Sequence, residues 1–172
     1  AVYALQDPRL AQRWIPDGRP YTFPFGDASV QVQIVDESGK VDLNAASPAV
    51  LTGLFKAAGM EPRAAEQLAG RVAAWRSFSD TVGPNPADAA YTAAGLDYLP
   101  RHGPFASIEE LRMVLGMPAA VYKAVASQVT LWSGRDAPNP ATAPPLALAA
   151  IPGMDAARIQ QAEDARQALD PA

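Results

Sequence analysis

The side chains that could carry chemistry in this chain are few, and their neighbours explain most of them. His102, in "PRHGPF", is the single histidine. Between Arg101 and a Gly-Pro turn it reads as a solvent-facing loop residue, and one imidazole supports neither a histidine metal site nor a Ser-His-Asp triad. Glu109 and Glu110 form a carboxylate pair, but they fall in a first helical turn, where the helix dipole favours acids without any acid–base role. "DESGK", residues 36–40, sets Ser38 near Lys40, and a tight strand turn accounts for all five residues. No Gly-rich phosphate loop, metal-ligand spacing or nucleophile elbow is present. Zero cysteines exclude disulfides, thiolate metal sites and cysteine nucleophiles. No catalytic or cofactor-binding residue is assigned, and the chain reads as a non-enzyme.

A second chemistry, phosphate binding, is suggested by an internal repeat. "NAAS" at 44–47 is followed by Leu51 and then Gly59-Met60. Ser107 is followed by Leu111 and Gly116-Met117, and "NPAT" at 139–142 by Leu146 and Gly153-Met154. Each unit is a capped helix, a glycine stop and a second helix, a helix-hairpin-helix pattern in three copies. Such hairpins grip nucleic-acid phosphates through backbone amides in the turn, backed by basic side chains. Here each turn is spoiled: Glu61 and Pro62 follow the first glycine, Pro118 the second, and Asp155 the third. The net charge of −4 also opposes a polyanionic partner. A helix-hairpin-helix nucleic-acid-binding protein therefore stands as the alternative to an assembly role.

The elements that would position these residues follow from patterning. Val30, Val32 and Ile34 alternate with Gln31 and Gln33, which predicts a strand over 30–36 with one wet face. "DESG" reads as a hairpin connection with Gly39 available for positive φ, and Lys40 to Leu43 as a return strand. Residues 1–14 read as a helix end interrupted at Pro8, and the Pro-, Gly- and aromatic-rich 15–29 as loop. Ser47-Pro48 caps a helix whose inner face is Val50, Leu51, Leu54, Phe55 and Ala58, stopped at Gly59. Pro62 opens a second helix with Ala65, Leu68, Val72 and Trp75 inward. "AAYTAAGLDYL" is a helical candidate inside the long 76–104 connection. "SIEE", 107–110, reads as a capping box, and Pro118 opens a helix with Val121, Tyr122 and Val125 inward. "SQVTLWS", 127–133, reads as a strand that should share a sheet with residues 30–43. The 17 prolines cluster in the loops and near the ends. No apolar run is long enough to span a bilayer.

The ordered set "VQIVDESGKVDLNAAS", "LFKAAGM", "AAWR", "AAYTAAGL", "FASIEELRMVLGM", "VYKAVASQVTLW" and "NPATAPPLALAAIPGM", over residues 30–154, resembles the minor pseudopilin K family of bacterial type II secretion systems. The resemblance implies an α+β fold: a pilin-like N-terminal helix and small antiparallel sheet, with a large inserted α-helical domain of helix-hairpin-helix units. On that reading residues 1–43 are the pilin-like segment and 44–126 the insert. Residues 127–172 are the return strand, a Pro-rich linker and a third helical hairpin. It further implies a structural subunit at the pseudopilus tip, assembled with minor pseudopilins I and J to support protein export across the outer membrane. The location implied is the periplasmic domain of an inner-membrane-anchored protein, touching the membrane only through an N-terminal helix absent from this sequence. Val2, Leu5, Leu10 and Trp14 are the candidate partner contacts, with packing on their own sheet as the competing account.

The same resemblance implies calcium in the loop after the second helix. The family pattern there is rich in aspartate, and this chain places Asp80, Asp88 and Asp97 in the region, with Asn85 and main-chain carbonyls as helpers. Calcium takes six to eight oxygen ligands, several of them carboxylates. Three carboxylates in an acidic chain are equally accounted for as solvated loop charges.

Overall fold

The computed structural model describes residues 2–9, 12–78 and 85–168. One helical turn, α1 (Val2–Leu5), precedes a two-stranded antiparallel hairpin of β1 (Asp17–Phe25) and β2 (Ala28–Val35). A 3-10 turn (Glu37–Gly39) leads to β3 (Val41–Asp42), and then α2 (Pro48–Ala57), α3 (Pro62–Arg76) and α4 (Pro86–Ala93) follow. A 3-10 segment (Ile108–Met113), α5 (Ala119–Val125), β4 (Val129–Thr130), α6 (Pro145–Ala149) and α7 (Ala156–Gln167) complete the order.

The segment 15–29, expected as loop, forms β1 instead. Tyr21 and Phe23 alternate with Pro20, Thr22 and Pro24, a period of two that the prolines obscure. Phe25 pairs with Ala28 across a tight Gly26-Asp27 connection, where Gly26 takes φ +60°. Proline cannot donate a ladder hydrogen bond, so Pro20 and Pro24 occupy positions whose amide would face away from β2. Their cross-strand partners, Gln33 and Ser29, together with Gln31 opposite Thr22, turn their own amides and carbonyls to the outer edge of β2.

A second correction concerns "DESG". β2 and β3 do not pair with each other, so of residues 30–43 only the return strand shares a sheet with 127–132. Asp36 caps the 3-10 turn, accepting from Ser38 N at 2.8 Å and Ser38 Oγ at 2.6 Å, which swings the chain out of the hairpin plane. β3 then pairs in parallel with β4, Val41 against Val129 and Asp42 against Thr130. Gly39 is not in the positive-φ region. It is required for space: a Cβ there would lie 2.6 Å from the Thr142 carbonyl.

The helices follow the sequence expectation closely. Ser47 Oγ accepts from Val50 N, and the faces Val50, Leu51, Leu54, Phe55 and Ala65, Leu68, Val72, Trp75 are buried against each other. The "SIEE" capping box does not form. Ser107 makes no side-chain cap, and Glu110 instead accepts from Trp75 Nε1 at 3.4 Å and Arg101 Nη1 at 3.2 Å. A buried indole N–H needs a partner more than a 3-10 terminus does. Every buried apolar residue among those described lies between Val41 and Ala150; residues 129–150 join the same core as α2 and α3. The β1–β2 hairpin contributes none.

Gly53 lets α2 approach the end of α6, since a Cβ there would sit 2.4 Å from the Ala150 carbonyl oxygen, whereas Gly70 on the exposed face of α3 has nothing within 4 Å. Both are interior helical glycines, so propensity alone would gain about 1 kcal/mol from alanine at either. Urea denaturation should show Gly70→Ala raising stability by roughly that amount and Gly53→Ala lowering it, the backbone contact reversing the sign.

Candidate functional site

The chemistry-bearing motif "VDLNAAS" folds into a polar centre. Asp42 is 1% exposed on β3. Its Oδ1 accepts from Asn44 N at 2.8 Å and Ala45 N at 3.3 Å, and its Oδ2 from Gly134 N at 2.7 Å and Ser133 Oγ at 3.3 Å. Asn44 binds the Phe105 backbone in both directions, Nδ2 to the carbonyl at 3.1 Å and Oδ1 from the amide at 2.7 Å. Arg76, at the end of α3, donates to the Leu43 and Ala46 carbonyls at 2.7 and 2.6 Å. Burial pulls the Arg76 pKa below its ordinary value, and the Asp42 carboxylate partly opposes that. Asp36 is shifted below the usual carboxylate value: burial pushes it up, but hydrogen bonds from Ser38 and the Thr142 hydroxyl outweigh that. These groups are spent on backbone amides and carbonyls and on the hydroxyls of Ser38, Ser133 and Thr142, so the centre is a clamp.

The expected contact residues divide. Val2 is 67% exposed and Leu5 half-buried, while Leu10 lies outside the described residues. Trp14 folds back on its own hairpin, stacked on Tyr21 at 4.4 Å between centroids and tilted against Phe23, with its amide on the Ala4 carbonyl. The larger surface is one that periodicity at 1–14 missed. Tyr21, Phe23, Val30, Val32 and Ile34 share a half-buried apolar face on the hairpin, and Phe25 stands exposed at its tip.

Two of the three calcium candidates are described. Asp80 lies outside the described residues, Asp97 is exposed, and Asp88 Oδ1 is 2.6 Å from His102 Nε2. His102 is thus a positioned residue, with φ +51°, where the sequence suggested a free loop side chain. Among the described residues no three acidic or histidine side chains gather as metal ligands.

All three repeat glycines adopt positive φ: Gly59 at +93°, Gly116 at +79° and Gly153 at +81°. In the first and third units the helix-start amides are already occupied, while in the second α5 has no side-chain cap. Glu61 caps α3 by accepting from Arg63 N and Ala64 N, and Asp155 caps α7 by accepting from Arg158 N. Pro118 offers no amide. The acids that spoil phosphate binding are the caps of the helices they precede.

A family model described as type II secretion system, protein K, matches residues 32–134. That span begins in β2 and ends at Gly134, whose amide Asp42 holds. The type II secretion system protein K of Klebsiella pneumoniae is 31% identical over 128 residues, covering 66% of this chain and 39% of that relative. A chain in the crystal structure of the GspK-GspI-GspJ complex from enterotoxigenic Escherichia coli matches with a TM-score of 0.60 at 22% identity, covering 86% of this chain and 59% of that one. The chain thus spans less than two thirds of the length of either. At that identity the structural likeness bears on the fold, a mixture of helices with a small antiparallel sheet.

Asp42→Asn would set an amide donor against backbone N–H groups at a side chain closed off from bulk solvent. A loss of about 3 kcal/mol in urea denaturation is expected, against a change within about 0.5 kcal/mol for the exposed Asp97→Asn.

Proposed function

The chain belongs to the type II secretion system protein K family, and on that footing we propose that it serves as a structural subunit at the tip of the pseudopilus. Its partners on this proposal are minor pseudopilins I and J, and its place is the periplasmic side of the inner membrane. The observation that carries the proposal is the hairpin: an apolar face of Tyr21, Phe23, Val30, Val32 and Ile34 that adds nothing buried to the core. An isolated two-stranded hairpin is marginal in water, and obligate subunit contacts are apolar. The related GspK is named in a complex with GspI and GspJ, which supports the choice of partners. We read the three positive-φ glycine turns as helix-hairpin-helix units used for packing, and residues 44–126 as the insert that makes the subunit bulky. Bulk above the sheet is tolerated at a filament end and obstructs addition in the middle. No helix among the described residues is long and apolar enough to cross a membrane.

Calcium in the 80–97 region remains a separate proposal resting on the family resemblance. Asp80, Asp88 and Asp97 would supply its carboxylates, Asp88 through the oxygen that does not meet His102. Its signature is a melting temperature that rises with added calcium and loses that response in Asp88→Ala. A melting curve unmoved by chelator retires it.

Mixing this chain with its I- and J-type partners is expected to give a stoichiometric complex on a sizing column. Val2→Glu with Phe25→Glu should weaken that complex at least about tenfold, leaving the circular dichroism of the helices unchanged. Absence of any complex across concentration and calcium level would overturn the tip role.

A further inference from the structure

A groove of about 310 Å³ lies between the 3-10 segment and α5, lined by Arg112, Met117, Ala119, Tyr122 and Lys123. The Arg112 guanidinium carbon sits 5.5 Å from the centroid of the Tyr122 ring. Among the described residues no carboxylate lies within ion-pair distance of Arg112 or Lys123, in a chain with more acids than bases. Glu109, three residues before Arg112, is placed for a helical pair and does not make one. Arginine set against an aromatic face retains its outward N–H fork for a carboxylate. Met117 and Ala119 supply apolar wall beside it.

We propose that this groove is a docking site for an acidic peptide segment of a protein partner, one carboxylate meeting Arg112 and Lys123 while a neighbouring apolar side chain lies against Met117 and Tyr122. Two cations at one place suit a short acidic segment. A nucleic acid or an anionic membrane draws its affinity from an extended basic face, which a chain of net charge −4 does not offer here. The groove's size also suits a side chain or two. This site is independent of the hairpin face and of the tip role.

The probe is an acetylated, amidated hexapeptide with two glutamates flanking a leucine, titrated into the isotope-labelled 172-residue chain and followed by amide chemical shifts. Perturbation centred on residues 112–123 is expected, weakening at least about fivefold when salt rises from 50 to 500 mM. Arg112→Gln with Lys123→Gln should weaken it about tenfold, while Arg63→Glu, a control cation on α3 outside the groove, leaves it within twofold. Any one of three results overturns the proposal: the glutamine version of the peptide binds equally well, Arg63→Glu weakens binding as much as the groove variant, or the peptide moves no signal in 112–123 at millimolar concentration. Shifts at 112–123 produced by duplex DNA or phosphatidylserine vesicles but not by the peptide would also overturn it, assigning the groove to a different class of partner.

Discussion

A carboxylate with almost no access to water is the constraint on which the rest depends. Asp42 must have its lone pairs filled inside the protein, because an unpaired buried charge costs several kcal/mol. It meets that need with the turn just after it, at Asn44 and Ala45, and with a loop more than ninety residues later, at Ser133 and Gly134. Its neighbours follow the same logic, Asn44 holding Phe105 and Arg76 holding the carbonyls of Leu43 and Ala46. Three distant places in the chain, at residues 76, 105 and 133–134, are therefore tied to β3 and the turn that follows it. β3 and β4 could not persist on two backbone pairs alone, and the side-chain clamp explains why they do.

Helices whose apolar faces recur at 3.6 residues were legible before any coordinates. Ser47-Pro48, Pro62 and the Gly59 stop set α2 and α3 by local chemistry, and tertiary contacts only confirmed them. Legibility failed where a residue's role is decided by something distant. Gly39 looked like a turn glycine because "DESG" is locally a turn, but its requirement comes from Thr142. Ser107 and Glu110 have the spacing of a capping box, yet Trp75 and Arg101 compete for the glutamate and win. β1 was hidden because prolines inside a strand argue against it unless the strand lies on an edge.

The apolar face of the hairpin was half visible for the same reason. Of the apolar residues at 1–14, Trp14 is spent on Tyr21, and the broader apolar face is made by pairing two strands, only one of which alternates cleanly. Asp42 had a weak signal, an acid between Val41 and Leu43 in an otherwise apolar stretch. His102 had none, since its partner Asp88 is fixed by α4, fourteen residues earlier.

The two prolines of β1 have a further consequence. A strand stack that grows without limit needs every unit to offer two competent edges, one to receive and one to extend. Here Pro20 and Pro24 blunt one edge, and only β2 presents a full row of amides at Ser29, Gln31 and Gln33. Edge-to-edge addition between copies therefore terminates at two, so the hairpin can accept a strand without becoming a seed for fibres.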